Sequence, residues 1–190
     1  MAPSVECWNA GAYGDCGMIP MNDRDIDEKL RMMRNYGQIK KYYHDFVGVN
    51  SRLDELQAAV LRVKLKRLDM WNERRRALAK TYGRLLSGLD VILPIEKDYA
   101  KHVYYTYVIQ HKYRDEIQRR LKENGIQTLI HYPVPVHLQK AYASFSKANL
   151  PCTEKICDEI LSLPMNPWLK DEDLERVYSV LSDMGKSHVK

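Results

Sequence analysis

Apolar side chains recur along this chain with two different periods, and the change of period marks out its regions. Between residues 51 and 89, Leu53, Leu56, Val60 and Val63 are joined by Leu61, Leu65, Leu68, Leu78, Tyr82, Leu85 and Leu86. Spacings of three and four residues lay these on one wide stripe, which predicts one long helix or two helices with a bend. A shorter helix is predicted from Asp23 to about Tyr36, with Ile26, Leu30 and Met33 as its apolar face and Gly37 as its stop. Before it, residues 14–21 read as a turn and a short strand whose edge would be exposed without partner strands. Beyond Pro94 the period shortens. Residues 102–109, rich in aromatic and β-branched side chains, predict a strand. Residues 113–123 predict a helix ended by Asn124-Gly125, and 126–131 a second strand. Residues 154–161 predict a helix, as do 171–184, which put Leu174, Val177, Leu181 and Met184 on one face. Strands interleaved with helices in this way predict an α/β fold of two layers, helices on a small sheet.

Composition narrows the class. The 190 residues fit about one domain with a real core, and 45% of them are hydrophobic. No stretch approaches the roughly 18 apolar residues that a membrane span requires. Residues 1–12 lack the basic start and apolar run of a signal peptide, so the cytoplasm is the expected compartment. The net charge of +5 is spread among acids along the helices. The densest basic run, Arg74-Arg75-Arg76, follows Glu73 and reads as a solvated helix face, so nucleic acid is not an expected partner. Cys7, Cys16, Cys152 and Cys157 show neither metal-site spacing nor a secreted framework, and free thiols are expected.

Candidate chemistry concentrates in two runs. In the first, Gly48-Val49-Asn50-Ser51-Arg52-Leu53-Asp54-Glu55, Ser51 is the expected helix N-cap, with Asp54 and Glu55 in the first turn. Asn50 and Arg52 flank that cap, where donors commonly meet phosphate or carboxylate groups. The bland alternative is a capped surface helix with nothing bound. In the second run, His131-Tyr132-Pro133-Val134-Pro135-Val136-His137, two prolines stiffen the chain between two histidines. Two histidines without an acidic or cysteine neighbour make a poor metal site, and packed histidines in a proline-rich connection are the bland reading. Tyr104, Tyr105 and Tyr107 could stack on a base or sugar, but alternation along a strand favours packing. Met32, Met33 and Met70 sit at helical positions that suit core or interface filling.

Five blocks, taken in order, carry a wider likeness. They are Asn9-Ala10-Gly11-Ala12-Tyr13-Gly14-Asp15-Cys16-Gly17, then Lys29-Leu30-Arg31-Met32-Met33-Arg34-Asn35-Tyr36-Gly37, then residues 48–59, then 125–137, and last Leu161-Ser162-Leu163-Pro164-Met165-Asn166-Pro167. In these the chain resembles the C-terminal portion of the DegT/DnrJ family of pyridoxal-phosphate-dependent sugar aminotransferases. The resemblance implies the small C-terminal domain of a fold-type-I pyridoxal-phosphate-dependent transferase, with a long linking helix and a remnant strand of the large domain. Its regions would be residues 1–22 as the remnant of the cofactor-binding domain, 23–89 as the helical link and 90–190 as the small domain.

The same resemblance implies roles for particular residues. Asn50 would reach the cofactor phosphate in a neighbouring subunit, with Arg52 beside it, while Tyr13 and Asp15 would shape the cofactor pocket. His137 would contact the amino donor or the sugar, supported by His131 and Tyr132. The family's cofactor-binding lysine precedes the first block, and here Trp8 stands in that place. An indole can neither hold the cofactor's aldehyde nor shuttle its protons. The carboxylate that pairs with the pyridine nitrogen has no counterpart either. The expected function is therefore that of the C-terminal part of an enzyme that aminates a nucleotide-linked keto sugar at the expense of glutamate. Pyridoxal phosphate belongs to the intact enzyme, and this chain is inactive alone. The alternative is a non-catalytic module that forms a homodimer or docks with a complete homologue.

Overall fold

The computed structural model describes residues 5–6, 11, 13–14, 16–144 and 148–187, which fall into two units, Met1–Asp69 and Met70–Lys190. In the first unit the strand β1 (Val5–Glu6) pairs antiparallel with β2 (Gly17–Met18), Val5 opposite Met18. The short strand expected near residue 17 therefore has a partner, drawn from the segment before it. Cys16, expected as a free thiol, is disulfide-bonded, whereas Cys152 and Cys157 are free.

Helix α1 (Arg24–Met33) begins where the Asp23 carboxylate accepts hydrogen bonds from the backbone N–H groups of Asp25 and Ile26, 2.9 and 3.1 Å away. This satisfies two of the donors that a helix start leaves open. After α1 the chain makes an excursion over residues 35–50, closed by antiparallel bridges between Asn35 and Asn50 and between Gln38 and His44. At its glycines the two arms meet backbone to backbone. A Cβ on Gly37, whose φ is +72°, would lie 1.8 Å from the Phe46 carbonyl oxygen, and one on Gly48 would lie 2.2 Å from the Gly37 nitrogen. Glycine at both positions is what lets the arms close.

Helix α2 (Glu55–Leu65) starts later than the sequence suggests. Its N-cap is Asp54, which makes no side-chain capping bond, so Ser51 is not a cap and Asn50 and Arg52 lie in the extended segment before the helix. Neither Leu56 nor Val63 on α2 is covered, and on α1 Met32 is buried while Ile26 and Met33 remain about half exposed. Periodicity located these apolar faces without revealing whether anything in the unit covers them.

Helix α3 (Leu68–Leu86) follows a break at Lys66 and Arg67, so the long apolar stripe forms two helices. In the second unit it buries Leu78, Ala79, Tyr82 and Leu86 against a sheet of β3 (Tyr107–Gln110) and β4 (Ile160–Leu163). These strands run antiparallel with Tyr107 opposite Leu163 and Gln110 opposite Ile160. Helices α4 (Arg114–Glu123), α5 (Pro151–Glu159) and α6 (Asp171–Ser187) complete the layer. From α4 come Ile117 and Leu121, and from α6 come Leu174, Val177, Leu181 and Met184, all buried in one core. The α/β expectation and the apolar face of the last helix hold.

Three local expectations do not. The strand at 102–109 begins only at Tyr107, because residues before it are held irregular: Tyr104 has φ +49°, and Glu96 accepts from the His102 backbone N–H at 2.8 Å. The strand expected at 126–131 shrinks to one bridge, Leu129 with Ser162. The partner of β3 is instead Ile160–Leu163, which overlaps the predicted helix 154–161; that helix ends at Glu159 as the chain turns extended at Ile160. The arginine run is not a solvated face. Arg74 donates to the Leu169 carbonyl at 2.8 Å, Arg75 is buried, and Arg76 grips Glu96 through two contacts of 2.5 and 3.3 Å. Packing does account for Tyr104 and Tyr107, since the Tyr107 ring lies 4.9 Å from Tyr82 and 6.2 Å from Tyr104 and burial pushes its phenol up to about 12, whereas Tyr105 is exposed.

Candidate functional site

The β4 strand has β3 on one side and the single Leu129 bridge on the other, so the segment leading to His131 is fixed against Ser162 by two backbone hydrogen bonds of 2.8 and 3.3 Å. From that position His131 Nδ1 lies 2.8 Å from the Ser162 hydroxyl, which is almost fully buried. A cleft of about 420 Å³ opens beside this pair, lined among others by Tyr105, Gln127, Thr128, His131, Ser162 and Met165. It joins apolar walls to a few convergent polar groups, the usual make-up of a small-molecule site. Tyr132, edge-on to the His131 ring at 5.6 Å, is largely exposed.

His137 has a different setting. It lies in a short 3₁₀ turn, Val136–Leu138, with only 7% of its side chain exposed, and its Nε2 is 2.9 Å from a Glu154 carboxylate oxygen. An ionised carboxylate only accepts, so the histidine is the donor. Glu154 also accepts from the Leu150 backbone N–H at 3.4 Å. The bond from His137 is the main reason that the Glu154 carboxyl lies below the ordinary carboxylate range. A lowered carboxyl contributes stability that is complete above its unfolded value and is lost as pH falls through the folded one. Glu154→Gln should therefore lose less stability than the parent chain between pH 6 and pH 3, as read from urea midpoints at each pH.

In the first unit Arg52 Nε donates to Asn50 Oδ1 at 3.1 Å, so the expected pair is brought together on an exposed segment. Tyr13 packs on α2: its backbone N–H donates to Gln57 Oε1 at 2.9 Å, and Lys64 Nζ stands 4.7 Å from its ring centroid. Trp8 and Asp15 lie outside the described residues. Among the described residues no three His, Cys, Asp or Glu side chains are grouped to hold a metal, and no helix is long and apolar enough to cross a membrane.

Sequence reasoning missed Ser162, Thr128 and Glu154. Ser162 carried a signal, as a lone polar residue between Leu161 and Leu163 in an apolar run. Glu154 carried none, because its partner is 17 residues away across an irregular connection.

Comparison with known proteins agrees with this fold. The model of the DegT/DnrJ/EryC1/StrS aminotransferase family matches residues 9–182. A "pleiotropic regulatory protein" of Geobacillus stearothermophilus is 48% identical over 92% of this chain and 48% of its own length. The dTDP-3-amino-3,6-dideoxy-alpha-D-galactopyranose transaminase of Aneurinibacillus thermoaerophilus is 45% identical over 89% of this chain and 47% of its own. Among solved structures, S. venezuelae DesV superposes with a TM-score of 0.90 at 42% identity, over 94% of this chain and 49% of that one. The chain thus spans about half the length of the curated relatives it matches.

Proposed function

Because the chain belongs to the DegT/DnrJ/EryC1/StrS aminotransferase family, we propose that it serves as the C-terminal part of an enzyme aminating a nucleotide-linked keto sugar, with glutamate as amino donor. Several relatives are named as transaminases of nucleotide-linked amino sugars, and that supports the substrate class. Residues 1–22 would belong to the large cofactor-binding domain, 23–89 to the helical link and 90–190 to the small domain.

The observation that carries this reading is the cleft beside His131 and Ser162, built within the two family blocks 125–137 and 161–167. In it His131 would orient the sugar or donor through a ring already held by Ser162, with Tyr132 at the rim. His137, buried against Glu154, would act on the ligand through the backbone it holds in place. Pyridoxal phosphate, when bound in such an enzyme, supplies the electron sink for moving the amino group. The residues of this chain suit only one end of it. Asn50 and Arg52, exposed and hydrogen-bonded to each other, offer further N–H donors to a phosphate, and Tyr13 would lie nearby. With Trp8 at the lysine position, the chain does not fit the aldehyde end and catalyses no amination alone.

A second reading is favoured by the exposed apolar side chains of the excursion and α2, among them Val47 at 96% and Leu56 at 77%. Surfaces of this kind mark association, so the chain would form a homodimer or dock with a complete homologue. Both readings are tested by co-expressing it with a lysine-bearing large-domain polypeptide of the family. Amination of a dTDP-linked keto sugar with glutamate is expected only when both are present, falling at least tenfold with Asn50→Ala. Co-purification without turnover would favour the docking module, and no association would refute both.

A further inference from the structure

Alternation along β4 sends Leu161 and Leu163 into the core and leaves Ser162, between them, on the other face, where it is nevertheless only 5% exposed. Its backbone is committed to the bridge with Leu129, donating at 2.8 Å and accepting at 3.3 Å. Among the described residues its hydroxyl has one hydrogen-bond partner, His131 Nδ1 at 2.8 Å. Both side chains belong to the wall of the same cleft.

A hydroxyl has one proton to donate, and a neutral imidazole has one nitrogen that donates and one that accepts. Two arrangements therefore fit the contact. If Nδ1 carried the ring proton, Ser162 would accept it, and the serine's own O–H would have no acceptor among the described residues. Buried donors are nearly always paired. If Ser162 instead donates to a bare Nδ1, its proton is satisfied and the ring proton sits on Nε2. The bond made by one ring nitrogen thus decides the state of the other.

We propose that Ser162 is a positioning residue for His131: its hydroxyl donates to Nδ1 and fixes the ring as the tautomer with its proton on Nε2, so that His131 offers the cleft an N–H donor. The ligand group that such a donor takes is an acceptor oxygen, whether of a carbonyl, a carboxylate or a hydroxyl, and not an ammonium. That this oxygen belongs to the sugar or to the amino donor rests on the function proposed above. The tautomer does not, and it is measured on the chain alone, without cofactor or sugar.

Long-range ¹H–¹⁵N spectra of the labelled chain, in mildly alkaline buffer above the ordinary imidazole range, distinguish a protonated ring nitrogen from a bare one. The chain has six histidines, and the ring signals lost in His131→Gln identify those of His131. They should show Nε2 protonated and Nδ1 bare, with a preference of about tenfold or more, because the other tautomer strands a buried donor. Ser162→Ala should reduce that preference and move the Nδ1 signal. The amides of Leu129 and residue 162 should keep their protection from exchange, since that bridge is main chain to main chain. Ser162→Thr retains a hydroxyl and should restore the preference. The spectrum of the parent chain decides by itself if Ser162→Ala does not fold. The proposal is overturned if Nδ1 carries the proton in the parent chain, or if Ser162→Ala folds and leaves the Nδ1 signal and the tautomer ratio unchanged. Absence of turnover in the co-expressed enzyme would count against the amination reading and not against this one.

Discussion

Alanine at Gly37 is expected to open the 35–50 excursion and cost that region about 3–5 kcal/mol, the strain of a left-handed residue plus a direct backbone collision. The added Cβ would sit 1.8 Å from the Phe46 carbonyl oxygen and 2.8 Å from its carbon, so a side-chain rotation cannot relieve it. The arms that would separate are those joined by Tyr36 N–H to Val49 O, Val49 N–H to Met33 O and Ser51 N–H to Arg34 O, at 2.8 to 3.0 Å. Hydrogen exchange should show these amides losing protection while those of α6 keep theirs. The consequence reaches function, since the same closure delivers Asn50 to its bridge with Asn35 and sets Arg52 beside it. Gly83 is the control. It lies inside α3 with nothing within 4 Å of an added Cβ, so Gly83→Ala should stabilise by about 0.5–1 kcal/mol.

The second large effect belongs to the core of the other unit. Leu121 on α4 has no exposed surface and packs in the core shared by α3, β3, β4 and α6. Truncation to alanine removes buried methyl groups and leaves a cavity that rigid neighbours cannot fill, a loss of about 3–4 kcal/mol. Urea unfolding measures it. Leu56→Ala on α2, where the side chain is 77% exposed, should change stability by less than about 0.5 kcal/mol.

The contrast between Leu121 and Leu56 also shows what could be read from sequence. Both lie in stretches expected to be helical, and both stretches are helical, although α2 begins only at Glu55. Period identifies the apolar face; it cannot say which surface meets it, so Leu174 and Val177 are buried as foreseen while Ile26 and Met33 stand half exposed. The sheet was harder. Residues 160–163 follow a helix without a loop, and the helix predicted for 154–161 ran over the first two of them, hiding the pairing of Tyr107 with Leu163 across 56 residues. Non-local pairing of that kind leaves no local signature. Of the site, the histidines, Asn50 and Arg52 were legible as unusual polar residues at marked positions. Ser51 was misread as a cap because a hydroxyl before an apolar run is the common signal, and here the extended segment continues to Asp54. The partners Ser162 and Glu154 could be assigned only once the backbone had brought them within reach.

The central claim is that this chain carries the substrate-facing part of a sugar aminotransferase but not the lysine that holds the cofactor. Its most direct measurement is titration of the purified chain with pyridoxal phosphate, followed by borohydride reduction and mapping of the modified residues. Weak labelling scattered over several exposed lysines is the expected result if, as the resemblance implies, Trp8 stands where the family's lysine lies. One lysine labelled specifically and to stoichiometric occupancy would contradict the claim, because it would reveal a substitute nucleophile and a complete cofactor site within these 190 residues.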